Sequence, residues 1–390
     1  MRSSFTGSLA AVLSLAVIGP ASAQDVNASQ GITVNLRGIL SATYFAQDAD
    51  FGLGNGQKAQ FVTAERDKWV HGGDVRNMRL TLGIGGPVIS SGWRANATFE
   101  MDFFGAYVGA TGATSGGAFG DEQPIPRLRL AFADLTNGRT TFRFGQDWSL
   151  TLGNIPVSTS HIGFPLGWGP GGFIGWRFTQ VKLIQTLSPA GAARTTRLQV
   201  ALLNGSWSDE PNGADNQFNA GERAMPQVEA RLDMSSPQFG LYLAGNVSPQ
   251  DSINTAGDDL TSYALEAGFN TTRGRLTLHG NAHYSRGMGH HFAQIIQFGD
   301  IQGWGIWGQL GYTLNPKWSL WAYYGTENPD DADVTAAGGT RVRSWLAVPM
   351  LRYKVGPYSM GLEWLHNETL LANGNNLEGN QVLLSARYDF

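Results

Sequence analysis

The chain contains no cysteine, so disulfide frameworks and thiolate metal sites are excluded. It has no run of about 18 apolar residues, so no segment reads as a membrane-spanning helix. Charged residues are sparse at 15%, and they show no basic excess. The sequence holds 27 basic and 31 acidic side chains, which gives no footprint for nucleic acid. Abundant are glycine, with 52 residues, and aromatics, at 11%. Mean hydropathy is slightly negative, at −0.18. A transmembrane barrel hides its lipid contact in this way, because lipid-facing and lumen-facing residues alternate and average out.

Both ends of the chain carry strong signals. Met1 to Ala23 has a basic Arg2, an apolar stretch from Leu9 to Ile18, and Ala21-Ser22-Ala23 before Gln24. This is the pattern of a cleaved secretory signal peptide, residues 1–23. The stretch is too short to span a bilayer. Removing Arg2 leaves 26 basic residues against 31 acidic, a mature net charge of −5. At the other end Val382, Leu384, Ala386, Tyr388 and Phe390 share one apolar face at a period of two. Gln381, Ser385, Arg387 and Asp389 lie on the opposite face. Such a strand has one side for lipid and one for water, and its terminal aromatic resembles an outer-membrane sorting signal.

Residues 24–390 form one domain of alternating amphipathic runs. The expected strands are 32–47, 74–86, 93–105, 126–137, 139–150, 175–188, 195–205 and 224–236. The second half gives 239–249, 260–272, 275–288, 301–315, 318–327, 341–356, 358–371 and 378–390. Short connectors such as Asn137-Gly138 and Gly356-Pro357 carry turn residues. They alternate with longer polar connectors such as Asp48–Gly73 and Ala106–Ile125. The fold class is therefore all-β: an antiparallel transmembrane barrel of about 16 strands, with short periplasmic turns and longer external loops. Sixteen strands leave room for an aqueous channel. Aromatics near strand ends (Tyr44-Phe45, Phe103-Phe104, Trp318, Trp321, Tyr323-Tyr324, Tyr353, Tyr358, Tyr388) are expected to form interfacial girdles.

Alternation assigns faces. Leu128, Leu130 and Phe132 are expected outward, as are Trp176 and Phe178. Arg79, Arg94, Arg127, Arg129, Arg143 and Arg177 are expected to face the lumen, with Lys182 beside them. Glu100, Asp102 and Asp147 are the inward acids in this region. A lipid-facing Arg at mid-membrane costs about 2–4 kcal/mol, which supports the inward assignment. Two readings stay open: an arginine wall that attracts carboxylate or phosphate, or an ordinary polar lumen whose Arg residues pair with nearby acids.

The third external connector, residues 151–172, has one ionisable side chain, His161, amid Ile155, Val157, Ile162, Phe164, Leu166 and Trp168. A loop bathed only in water would not carry this set. It is expected to fold into the lumen and narrow it, with Asn154, Ser158, His161, Phe164 and Trp168 as constriction residues. A loop covering a subunit interface or the outer rim is the alternative.

Three stretches resemble the DcaP-like porins: Phe99-Glu100-Met101-Asp102-Phe103-Phe104-Gly105, Arg127-Leu128-Arg129-Leu130-Ala131-Phe132-Ala133 and Phe144-Gly145-Gln146-Asp147-Trp148-Ser149. The family shows a similar E-x-D-F-F-G strand end, then R-L-R, then a G-Q-x-W-S run into the third loop. The resemblance covers nearly the whole mature chain. It implies a homotrimeric outer-membrane porin of a Gram-negative bacterium, with an inward third loop and a basic lumen. It also implies passage of small hydrophilic, anionic solutes such as dicarboxylates, with Arg127, Arg129 and Arg143 as anion contacts. No cofactor, metal or nucleic-acid partner is implied. Outer-membrane lipid and lipopolysaccharide are the expected surroundings. Some members carry a coiled-coil segment before the first strand. Only Gln24–Gly31 stands there in this chain, so a trimer would be held by barrel walls.

Two other classes compete. A sugar porin would use Trp148, Trp307, Trp321 and Tyr323 as a luminal aromatic line. Trp304 and Trp307 fall on opposite faces, so at most one is luminal. An outer-membrane enzyme would draw on His279 and His283 with Asn281 between them, yet no catalytic motif accompanies them. Acidic residues including Asp209, Glu210, Asp215, Asp330, Asp331 and Asp333 mark external loops in which divalent cations could bridge to lipopolysaccharide, although no calcium loop has the required spacing.

Overall fold

The computed structural model describes residues 24–28, 31–54, 56–105, 124–204, 225–250 and 260–390. The leader 1–23 and the acids Asp209, Glu210 and Asp215 lie outside the described residues. The wall begins with β1 (Gln24–Ala28), β2 (Ile32–Phe51), β3 (Val62–Asp74), β4 (Arg79–Ser90) and β5 (Trp93–Asp102). It continues with β6 (Arg127–Thr136), β7 (Thr140–Trp148), β8 (Arg177–Thr186), β9 (Thr195–Leu203) and β10 (Gln227–Ser235). Next come β11 (Phe239–Gln250), β12 (Leu260–Arg273), β13 (Leu276–Arg286) and β14 (Gln302–Thr313). The last are β15 (Trp318–Pro329), β16 (Arg341–Val355), β17 (Tyr358–Leu371) and β18 (Asn376–Asp389).

Each strand pairs antiparallel with its neighbour, and β18 closes onto β2 from Gln381↔Gln47 to Asp389↔Ile39. Phe390 and Gly38 extend this seam by exchanging backbone hydrogen bonds at 2.8 and 3.0 Å. Closure matters because an open edge would leave N–H and C=O groups unpaired in hydrocarbon. The wall counts sixteen staves. β3 and β4 form one interrupted stave, since β3 pairs with Thr43–Phe51 and β4 with Thr33–Ile39 of the same strand. β1 pairs with Ile32–Leu36, below the end of β18.

Three expectations change. Residues 62–73 were expected within a polar loop, but they form most of β3. Its charged run looks like a loop, and Arg66–Trp69 do bulge out of the pairing between Ala49↔Glu65 and Gln47↔Val70, while the residues on either side join the ladder with β2. The connector Asn328–Thr340 contains a helix, α1 (Asp331–Ala336), capped by Asp330, whose side chain accepts from Ala332 N at 2.9 Å and Asp333 N at 3.1 Å. The girdle pairs also divide: Tyr44 and Tyr324 are exposed outside, whereas Phe104 and Tyr323 are buried inside. Phe45 likewise packs against the interior cluster.

The hairpin turns use glycine as expected. Gly138 and Gly356 take φ of 86° and 54°, which suits the left-handed positions of tight turns. The outer surface carries Phe144, Val181, Leu265, Leu310, Leu362 and Leu384, all exposed. Their neighbours Asp147, Lys182, Glu266, Gln309, Glu363 and Ser385 are buried on the inner side. Period-two alternation thus builds an apolar exterior and a polar interior from the same strands.

A bulge in the arginine region breaks the alternation. Pairing between β5 and β6 slips between Met101↔Leu128 and Glu100↔Leu130, with Arg129 as the extra residue. Beyond the slip Phe132 lies opposite Thr98 and Gly145. Its ring lies 3.6 Å beneath the Arg143 guanidinium. Phe132 is therefore inward, contrary to the strict alternation. Phe178, also expected outward, is fully buried inside, while Thr179 and Val181 take the outer face.

Replacing Leu384 by Arg places a guanidinium on the lipid face of the middle of β18. Denaturant unfolding in phosphatidylcholine bilayers should show a loss of about 2–4 kcal/mol.

Candidate functional site

The connector between β7 and β8 runs inside the barrel, hydrogen-bonded to the inner wall along its course. Glu229 of β10 accepts Ser149 Oγ at 2.8 Å and Leu150 N at 2.5 Å. Arg231 Nη1 donates to Leu150 O and Leu152 O at 3.1 and 2.8 Å. Asn154 Nδ2 donates to Phe269 O of β12 and Gly280 O of β13 at 2.8 and 3.2 Å. Val157 and the Gln309 side chain of β14 exchange two bonds of 2.6 and 2.7 Å.

The loop then meets Glu363 of β17. This fully buried carboxylate accepts Ser158 Oγ at 2.7 Å, Thr159 N at 2.8 Å, Thr159 Oγ1 at 2.7 Å and Ser160 N at 2.9 Å. Bonds to an ionised acceptor are about twice as strong as neutral ones. His161 Nδ1 stands 4.0 Å from the same carboxylate. Ser160 Oγ meets Ser385 Oγ of β18 at 2.7 Å. Asn77 bonds Ser160 O and accepts Gly163 N at 2.8 Å, and Arg79 Nη2 donates to Ile162 O at 3.1 Å. Gly361 is required on β17, because a Cβ there would overlap Thr159 Oγ1. From Ser149 to Gly163 the connector is thus bonded to side chains of β10, β14, β17 and β18. Ser158, His161, Phe164 and Trp168 are buried and Asn154 is half-buried.

The returning limb brings Phe164, Leu166, Trp168 and Phe173 into an aromatic core inside the lumen. The Trp168 ring lies 6.0 Å from Trp148, 5.2 Å from Trp176 and 4.4 Å from Phe292. Phe292 belongs to the connector between β13 and β14, which also folds inward. Gly175 N donates to His291 O at 2.9 Å, and Gln294 N bonds Glu327. The sequence reading passed over this second inward loop, although Phe292, Ile295, Ile296 and Phe298 signalled it as strongly as the apolar residues of the first. The turn Gly56–Lys58 adds a third contribution: Gln57 Nε2 donates to Thr43 Oγ1 at 2.6 Å.

The basic side chains fall into groups. Arg127 reaches Asp102 at 2.7 and 3.0 Å, and Arg129 bridges Glu100 at 2.7 Å and Asp102 at 2.8 Å. Arg79 Nε stands 3.7 Å from Glu100. Arg177, fully enclosed, lies over the Trp148 and Trp176 rings at 5.0 and 4.4 Å. A second group joins Arg143 and Lys182 to Asp147 at 2.8 and 2.7 Å. Arg143 also binds Asp134 at 2.7 Å, an inward acid that strict alternation had hidden. Arg94 stands apart, exposed and opposite Thr136. The wall therefore combines both sequence readings: much of its charge is paired, and its cations still exceed its carboxylates. Near the turn end of the barrel, Arg37 of β2 takes an inward position between outward Leu36 and Leu40. Arg352 and Arg387 are inward by the alternation of β16 and β18. The sequence reading did not single out this lower group as pore residues.

The competing constellations are occupied by packing. Trp307 and Tyr323 stack at 5.6 Å, and Tyr323 donates to Gly171 O at 3.1 Å, so both help hold the loop. Trp304 is exposed on the outer face. His279 meets Gln309 Oε1 at 2.8 Å, and His283 lies 3.8 Å from Glu327. Among the described residues no group of three or more His, Cys, Asp or Glu side chains could hold a metal.

No protein-family profile matches this sequence, and no curated protein matches it. Solved structures share the fold. The outer-membrane channel DcaP of Acinetobacter baumannii aligns with a TM-score of 0.73 at 19% identity, over 94% of this chain and 99% of that one. An anion-selective porin from Comamonas acidovorans gives 0.55 at 13% identity, over 92% and 100%. OmpT of Vibrio cholerae in its trimer form gives 0.56 at 12% identity, over 92% and 100%. The architecture is that of an outer-membrane porin barrel, and the resemblance carried by the three motifs holds at the level of fold.

Glu363→Ala removes the acceptor of four loop donors at once and leaves the enclosed Thr159 N–H unpaired, at about 1–3 kcal/mol, in addition to the lost hydroxyl bonds of Ser158 and Thr159. The expected result is a lower thermal midpoint together with larger, noisier single-channel currents. Lower stability at unchanged conductance would show that the loop is held by its other contacts.

Proposed function

We propose that the protein is a passive outer-membrane channel for small hydrophilic solutes that favours anions, with small carboxylates as the leading class. The observation that carries this reading is the inward basic wall facing a loop that crosses the lumen. Arg127 presents a guanidinium group suited to paired recognition of carboxylate oxygens, while Arg129 and Arg143, each already bonded to two carboxylates, order the acids beside it. Arg79, Arg94 and Arg177 extend the wall, while Glu100, Asp102 and Asp147 hold its members in place. The lower group Arg37, Arg352 and Arg387 adds positive charge along the same path. Asn154, Ser158, His161, Phe164 and Trp168 set the aperture. A homotrimer held through barrel walls fits the likeness in fold to a porin that has a trimer form. Lipopolysaccharide is the natural neighbour of the external loops.

Planar-bilayer recording under a KCl gradient tests the reading. Current steps in threes with a reversal potential favouring chloride are expected. Potassium preference would remove the anion reading and keep the channel; no conductance would remove both. Arg127→Gln should lower the chloride preference and move the reversal potential toward zero. Deleting residues 158–168 should raise single-channel conductance; an unchanged value would rule out the loop as the constriction.

A further inference from the structure

Arg177 differs from the other enclosed cations of the wall. Arg127, Arg129 and Arg143 each end on a carboxylate oxygen within 3.0 Å. Arg177 is 3% exposed, and its Nε–H and Nη1–H find no acceptor among the described residues. Trp168 is fully buried, and its indole N–H is likewise without an acceptor. The two side chains belong to one cage. Arg177 lies over Trp148 and Trp176, and Trp168 packs against both of these rings.

Charge points the same way. Arg127 lies over the same Trp176 ring at 5.9 Å and Arg129 over the same Trp148 ring at 5.4 Å, and Arg79 stands 3.7 Å from the Glu100 that Arg129 binds. Within this group the carboxylates are Glu100 and Asp102, so four guanidinium groups face two negative charges. Enclosing unpaired charge is costly. A guanidinium does not escape by losing its proton. The tryptophan faces stabilise the flat sides of the Arg177 group. Its edge, where the free N–H groups lie, needs an acceptor.

We propose that Arg177 and Trp168 hold a small inorganic anion of halide size as a permanent counter-ion of the basic wall. Guanidinium and indole N–H groups suit a compact monovalent anion that accepts from several donors. Burial beneath the two inward loops makes this ion structural rather than cargo. The inference concerns the stability of the wall, and so it stands apart from the proposed anion flux.

The test is thermal unfolding of the full protein in detergent micelles, with chloride titrated against gluconate at constant ionic strength. The midpoint should rise with the logarithm of chloride concentration, as for a ligand that binds the folded state. Crystals soaked in bromide should show an anomalous peak beside Arg177 Nε. Arg177→Met should lose both effects, and Arg177→Lys, which keeps the charge without the fork, should retain a weaker chloride dependence. If the Met variant does not fold, the Lys variant and the bromide peak decide the matter. A flat midpoint in the wild type, equal chloride dependence in wild type and Arg177→Met, or bromide only on exposed arginines would each overturn the proposal. Reversal potentials are read separately, so failure here leaves the flux reading intact, and the reverse holds.

Discussion

The whole architecture depends on one constraint: backbone polar groups in hydrocarbon must find partners within the protein. The seam between β18 and β2, extended by Phe390 and Gly38, meets it by closing the sheet. Once closed, the wall has only two faces, and the period of two sends every second side chain inward. An exterior of Leu, Val and Phe then obliges the interior to take Glu229, Glu266, Gln309, Glu327, Glu363 and the arginines. The polar lumen is a geometric consequence of the ladder as much as a functional choice.

A polar interior this dense must itself be satisfied, and the inward connectors do that. Loop N–H groups have no ladder of their own, while enclosed carboxylates have lone pairs to fill. Glu229, Glu327 and Glu363 each take backbone N–H groups from a connector. The acids of β10, β15 and β17 therefore act as anchors. Those of β5 and β7 serve instead to order arginines. One side of the barrel holds the loops and the other presents the cations they face.

The sequence made the periodic features legible because they are local. The alternation at Gln381–Phe390, the glycine turns, and the misplaced apolar residues of the third loop each require only neighbouring residues. What it hid depends on pairing. The bulge at Arg129 is defined against Met101 and Glu100 of another strand, so the inward turn of Phe132 and Asp134 could not be read from β6 alone. β3 was missed because its charged run carries no apolar face. The second inward loop was missed because Phe292 and Ile295, the informative residues, are interleaved with Gln294 and Gln297, whose inward partners lie on other strands. Among the site residues, carboxylate partners change the picture of the arginines from a bare wall to a neutralised lattice with a positive remainder, and Arg94 stands exposed apart from it.

That remainder is what matters for selectivity. A guanidinium already bound to two carboxylates offers little to a passing solute, because its N–H edges are engaged and its field is largely cancelled. Arg129, bonded to both Glu100 and Asp102, belongs to this class. Arg127 differs: it is partly exposed, meets only Asp102, and faces the Phe164 ring of the crossing loop at 5.2 Å. Arg129 thus fixes Glu100 and Asp102, and these acids in turn orient Arg127 and Arg79. The number of arginines in a lumen is therefore a poor measure of its pull on anions. The geometry of their acids determines which ones remain available.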